Sequence, residues 1–195
     1  EAPEILDEYK NLFNMNKRLI GWLKIDDTII DYPVMQTVDN EYYLNHNINQ
    51  EKDRNGALFM DAGCDVVKGN TNYIIYGHNM ANGTMFRHLH KFKNKSFFEE
   101  NQYFYIYTRG HILTYEIFAA YEYDDRHILN SFNFKDPKVF EDYLETVKNP
   151  KSMISRTREV ELNKDSKILT LSTCIGNHDY RYLVQGVLVK DELTK

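Results

Sequence analysis

The chain contains only two cysteines in 195 residues, Cys64 and Cys174. Two are too few for a disulfide framework, and they lack the clustered spacing of a zinc site. Positive charge is also scarce: 24 lysines and arginines against 29 aspartates and glutamates leave a net charge of −5. Without a basic footprint for a polyanion, nucleic acid is not an expected partner. No apolar run in the chain approaches the roughly 18 residues needed to cross a bilayer. Glycine, proline and serine do not gather into a linker, and there is no repeat or low-complexity run to divide the chain. What it does have is core material, 42% apolar and 14% aromatic, which excludes global disorder. At roughly 150 residues per domain, one domain over 1–195 is expected.

Strand patterns dominate. Residues 19–30 are bulky and β-branched, and Pro33 confines a strand there to an edge or an ending. Further strands are expected at Ala57–Met60, Tyr73–Tyr76, Tyr103–Tyr107, Ile112–Tyr121, Glu159–Leu162, Lys167–Thr173 and Arg181–Val189. Helical stripes are fewer. Ile5, Leu6, Tyr9, Leu12 and Phe13 form one after Pro3, and Met85, Phe86, Leu89 and Phe92 form a short second one. The third is the best marked: Asp136 can cap it, Pro137 can take its first position, and Val139, Phe140, Tyr143, Leu144 and Val147 share a face before Asn149-Pro150. Many strands with few helices point to a β-barrel or sandwich with peripheral helices.

Chemistry is suggested at three strand ends. In the run 167–174 a period of two places Ser172 and Cys174 on one face, with Leu169, Leu171 and Thr173 on the other. A loop composition follows the cysteine, a placement that suits a nucleophile, although a strand-end cysteine taken alone is more often a small buried hydrophobe. His78 follows the apolar strand 72–76 and Gly77, so a rigid element delivers its imidazole; the other six histidines read as surface residues. Arg181 opens the last strand and would approach the thiol if the last two strands pair. Together, a thiol, an imidazole and a guanidinium could act as nucleophile, proton shuttle and oxyanion stabiliser.

Tyr76-Gly-His-Asn-Met80 and Gly83-Thr-Met-Phe86, with Thr170-Leu-Ser-Thr-Cys174 and Arg181, resemble a class B sortase, a cysteine transpeptidase of Gram-positive cell surfaces. Gly21-Trp-Leu-Lys-Ile25, Asp31-Tyr-Pro-Val-Met-Gln36, Asp39-Asn-Glu-Tyr-Tyr-Leu44 and Gly56-Ala-Leu-Phe-Met-Asp61 follow the family pattern in family order. The resemblance implies an eight-stranded β-barrel, an N-terminal helical segment over 1–18, and the helix 136–148 between the sixth and seventh barrel strands. It implies Cys174 as nucleophile, His78 as general acid and base, and Arg181 as oxyanion stabiliser. Asn40, Leu44, Ile128 and Ser172 fall where relatives line the sorting-signal groove.

The implied reaction cleaves a surface protein's C-terminal sorting signal after threonine and transfers it, through a thioester, to a peptidoglycan precursor or cross-bridge amine. No metal or organic cofactor is required. The expected location is the outer face of a Gram-positive cell membrane, held by a hydrophobic anchor of about 20 residues ahead of Glu1. A hydrolytic cysteine peptidase and a non-catalytic peptide-binding barrel are the alternatives. Free cysteine and histidine titrate near 8.5 and 6.5, so such a site must shift these values or use a minor ion-paired population.

Overall fold

The computed structural model describes residues 11–13, 16–174 and 179–194, with Cys174 described by its backbone alone. Among these residues there are nine strands: β1 (Leu19–Lys24), β2 (Asp31–Met35), β3 (Leu58–Met60), β4 (Asn72–Tyr76), β5 (Tyr103–Thr108), β6 (His111–Asp124), β7 (Arg156–Thr157), β8 (Ile168–Cys174) and β9 (Tyr180–Leu193). They form one sheet in the order β5-β1-β2-β3-β4-β8-β9-β6-β7, and a further pairing of β5 with β6 closes eight of them into a ring. Closure leaves those eight strands without a free edge. β7 attaches outside the ring, pairing with β6 through two residues.

Alternation along the strands sorts side chains between two cores. Inward-facing Leu23, Ile75, Phe104, Ile117, Leu171 and Val184 fill the barrel. A 3-10 helix over Phe86–Lys93 adds Phe86, Leu89 and Phe92 to the same cluster, each with no exposed surface. Outward-facing Ile74, Phe118, Ile168 and Leu183 meet Phe140, Tyr143, Leu144 and Val147 of a peripheral helix. Burial of each such side chain stabilises by about 1.5–3 kcal/mol.

Besides the helical residues 11–13 and a 3-10 turn at Tyr42–Leu44, the described chain has three α-helices: α1 (Lys95–Glu100), α2 (Ile128–Ser131) and α3 (Pro137–Lys148). As expected, Asp136 caps α3, accepting from Lys138 N and Val139 N, with Pro137 at its start. A buried polar network ties α3 to the barrel wall. Gln185 Nε2 donates to Tyr143 Oη at 2.9 Å and to Thr170 Oγ1 at 3.0 Å, while Tyr121 Oη donates to Gln185 Oε1 at 2.7 Å. α3 lies between the sixth and seventh strands of the ring, β6 and β8. No helix among the described residues is long and apolar enough to cross a membrane.

Two expectations need correction. Glu159–Leu162 is not a strand. Its alternation is real, since Val160 and Leu162 pack on the α3 cluster, but pairing there is replaced by the preceding Arg158. The Arg158 backbone N donates to Phe118 O, and its guanidinium donates to Ile117 O and Phe98 O. Within residues 19–30 the strand is β1, and a turn closed by Ile25 N donating to Ile30 O at 2.9 Å leads to β2. Pro33 lies inside β2, between two partners, which the expectation of an edge or an ending did not foresee. The parallel ladder to β3 covers only Val34 and Met35, so no ladder partner is required of Pro33 on that side. Residues 11–13 are helical; the rest of the expected N-terminal stripe lies outside the described residues.

Candidate active site

β4 and β8 are neighbours and run parallel, with Tyr76 opposite Ser172, so both strands end at the same rim of the barrel. Gly77 N extends the contact by donating to Ser172 O at 3.2 Å, and His78 follows at once. β8 ends at Cys174, whose backbone pairs with that of Arg181 in β9. The rim therefore brings together three chain positions that are distant or loop-separated in sequence.

A cavity of about 250 Å³ opens there, and Asn40, Leu44, His78, Ile128, Ser172 and Arg181 all line it. The side chain of Cys174 and the loop 175–178 lie outside the described residues. The expected alternation of β8 holds for Ser172, which lines the cavity, and for Leu169 and Leu171, which look into the barrel; Thr173, expected to share their face, also lines the cavity at the end of the strand. A larger cavity, about 890 Å³, lies at the opposite end of β4 and β8 beside Tyr73 and Leu169, and it contains none of these residues.

His78 is half-buried, and its Nε2 lies 2.6 Å from Leu44 O. A carbonyl only accepts, so in this arrangement Nε2 carries the hydrogen. Arg181 is also half-buried, and its Nη1 donates to Tyr180 O at 3.1 Å. The segment 124–128 forms the facing wall. There Arg126 clasps Asp124 through Nε and Nη2 at 2.7 and 2.6 Å, which holds the Asp124 carboxyl below the usual carboxylate range.

Gly77 has no room for a side chain. A Cβ there would lie 2.5 Å from Leu58 Cδ2 and 2.6 Å from Phe86 Cδ2, both in the barrel core. Gly77→Ala should therefore destabilise the fold by about 1–3 kcal/mol and displace the neighbouring His78. A thermal melt unchanged from the parent would refute this.

Cys64, buried at 5% exposure, is the second thiol. Burial pushes its titration up to about 12; the Ile74 backbone opposes the rise and the Asp61 carboxylate adds to it. Only about 1% of such a thiol is ionised at pH 10, so Cys64 should resist iodoacetamide from pH 6 to 10 in folded Cys174→Ala protein. Intact mass reads this out, and rapid single labelling would contradict it.

Sequence reasoning missed two contributors to this wall. His127 was read as a surface residue, yet it lines the cavity with its Nε2 2.7 Å from Asp61 Oδ2. Tyr76 also lines it and donates to the same oxygen at 2.7 Å. Burial and the Asp61 charge hold the Tyr76 phenol far above its usual titration range, so it remains a donor. No local spacing signals such a cluster, because its members come from separate segments. Among the described residues no group of histidine, cysteine and carboxylate side chains could hold a metal ion.

Comparison with known proteins bears on the family and the fold. The sortase domain model matches residues 23–189. Sortase B of Listeria monocytogenes is 41% identical over 191 residues, covering 95% of this chain and 76% of that protein. Sortase B of Staphylococcus aureus is 30% identical, covering 86% of this chain and 67% of that protein. Among solved structures, Clostridium perfringens sortase B superposes with a TM-score of 0.83 at 36% identity, over 93% of this chain and 99% of that one. A Staphylococcus aureus sortase B–substrate complex superposes with a TM-score of 0.85 at 27% identity, over 96% of this chain and 87% of that one. A ring of eight strands with one added outside, a rim that gathers the histidine, cysteine and arginine positions, and matches over nearly the whole chain lead to one assignment: the chain belongs to the sortase family, class B, the cysteine transpeptidases.

Proposed function

We propose that this chain cleaves the C-terminal sorting signal of exported surface proteins after threonine and passes the new acyl end to an amine of the cell wall. The observation that carries this reading is the convergence of His78, Arg181 and the end of β8 on one cavity. Sortases in general act on sorting-signal proteins and cell-wall amines.

In the proposed cycle the Cys174 thiolate attacks the threonine carbonyl, and the carbonyl π electrons move onto oxygen. The Arg181 guanidinium, with its fixed fork of donors, stabilises that oxyanion. Collapse of the intermediate expels the downstream amine, which takes a proton from His78, and leaves a thioester on Cys174. An amino group from a peptidoglycan precursor or cross-bridge then attacks the thioester. His78 accepts its proton, and the thiolate leaves as the new amide forms. Asn40, Leu44, Ile128 and Ser172 contact the signal peptide along the cavity. The reaction uses no cofactor, and residues 1–195 act as one catalytic domain. An anchor ahead of Glu1 would hold the enzyme on the outer membrane face, where co-localisation raises the effective concentration of both substrates.

The test is a library of threonine-containing sorting peptides with and without an amine acceptor, followed by mass spectrometry. A thioester adduct on Cys174 and an amine-dependent ligation product are expected. Release of acid alone, at a rate indifferent to the amine, would replace transpeptidase with hydrolase.

A further inference from the structure

Behind the wall of the cavity lies a buried carboxylate for which the reaction has no role. Asp61 directly follows β3 and is 1% exposed. A buried carboxylate is costly unless donors surround it. Its Oδ2 accepts from Tyr76 Oη at 2.7 Å, from His127 Nε2 at 2.7 Å and from Asn40 Nδ2 at 3.1 Å, and its Oδ1 accepts from Gly63 N at 2.8 Å.

The three side-chain donors come from three segments that are far apart in sequence, and all three line the cavity. Each is oriented further by a second contact or by its place in the fold. Asn40 Oδ1 accepts from Ala62 N at 2.7 Å, so its amide is held at both ends. His127 Nδ1 accepts from Asn130 N at 3.2 Å, which places the ring hydrogen on Nε2, facing Asp61. His127 is also the cap of α2, whose first residue is Ile128. Tyr76 ends β4 two residues before His78. His78 itself is held by another group, Leu44 O.

We infer that Asp61 is a positioning residue for peptide recognition: its carboxylate orients Asn40, Tyr76 and His127, and through His127 sets α2 and Ile128 along the peptide-binding wall. The inference rests on the function proposed above and assigns the recognition surface of that same site a common hub. Asp61 acts on how the peptide is held rather than on bond breaking, so its loss separates KM from kcat.

The experiment compares Asp61→Asn with the parent on a sorting peptide that the parent processes. Asparagine keeps the volume but turns one acceptor into a donor facing three donors. A charge-assisted hydrogen bond is worth about tenfold or more, so KM should rise about tenfold while kcat stays within about twofold. His127→Ala should raise KM by about threefold or more. Added to Asp61→Asn it should change KM by less than about twofold, because both act through one hub. His127 has a side chain that is 33% exposed, so its single variant carries the test if Asp61→Asn fails to fold. Unchanged KM in the folded variants, a loss confined to kcat, or independent additive effects would overturn the inference while leaving the transpeptidase reading intact. Absence of turnover in the parent enzyme would overturn that reading first, and the inference with it.

Discussion

Cys174→Ala should abolish both signal-peptide cleavage and the thioester adduct, a loss on the order of 10⁴-fold or more, because no other group can form the covalent intermediate. Cys64→Ala should retain most activity. The two thiols differ in position, and Cys64 is in addition held protonated by its burial. Cys174 ends β8 opposite Arg181, at the rim where His78 emerges, whereas Cys64 belongs to the barrel core cluster. Rates and intact masses measured on both variants decide the matter. A comparable loss from Cys64→Ala, with folding preserved, would remove Cys174 from its assigned role.

Arg181→Lys should lower kcat by about 10²–10³-fold with little change in the thermal melt. Lysine keeps the charge but replaces a planar fork of donors with a single ammonium on a flexible stem. The barrel should tolerate the change, since β9 contributes Arg181 to the sheet through its backbone, paired with Tyr123 and Cys174. The measurement is steady-state turnover of a sorting peptide alongside the melt. Turnover equal to that of the parent would exclude Arg181 as the oxyanion partner.

Where local periodicity governs structure, the sequence was legible. The alternation in 167–174 assigned Ser172 to the outer face and Leu171 to the inner one, and the Asp136-Pro137 pair marked the start of α3, as observed. It misled at Glu159–Leu162, where a strand-like alternation buries Val160 and Leu162 without pairing, because Arg158 binds backbone carbonyls instead. Periodicity reports which side chains face the core; it does not report whether a partner strand is available. The convergence of His78, Arg181 and the end of β8 was legible through motifs at strand ends, since strand ends are where a barrel presents rigidly held side chains. The Asp61–His127–Tyr76–Asn40 cluster was not legible. Each member lies in an ordinary local context, and only the closure of the ring brings them together.

The parallel pairing of β4 with β8 also bears on how the protein comes into being. Five of the eight ladders of the ring, including β5–β6 and β8–β9, join consecutive strands, whereas β1–β5, β6–β9 and β4–β8 join strands far apart in sequence. In the last of these Asn72 and Ile168 lie on the order of a hundred residues apart, and drawing them together costs about 2 kcal/mol more in loop entropy than closing a ten-residue hairpin. In synthesis the histidine strand is made on the order of a hundred residues before the cysteine strand. A chain still emerging from the ribosome, or one cut short before β8, carries the histidine strand without the cysteine strand. The catalytic rim is thus not assembled until β8 and β9 have docked, so the docking of these later strands serves as its activation.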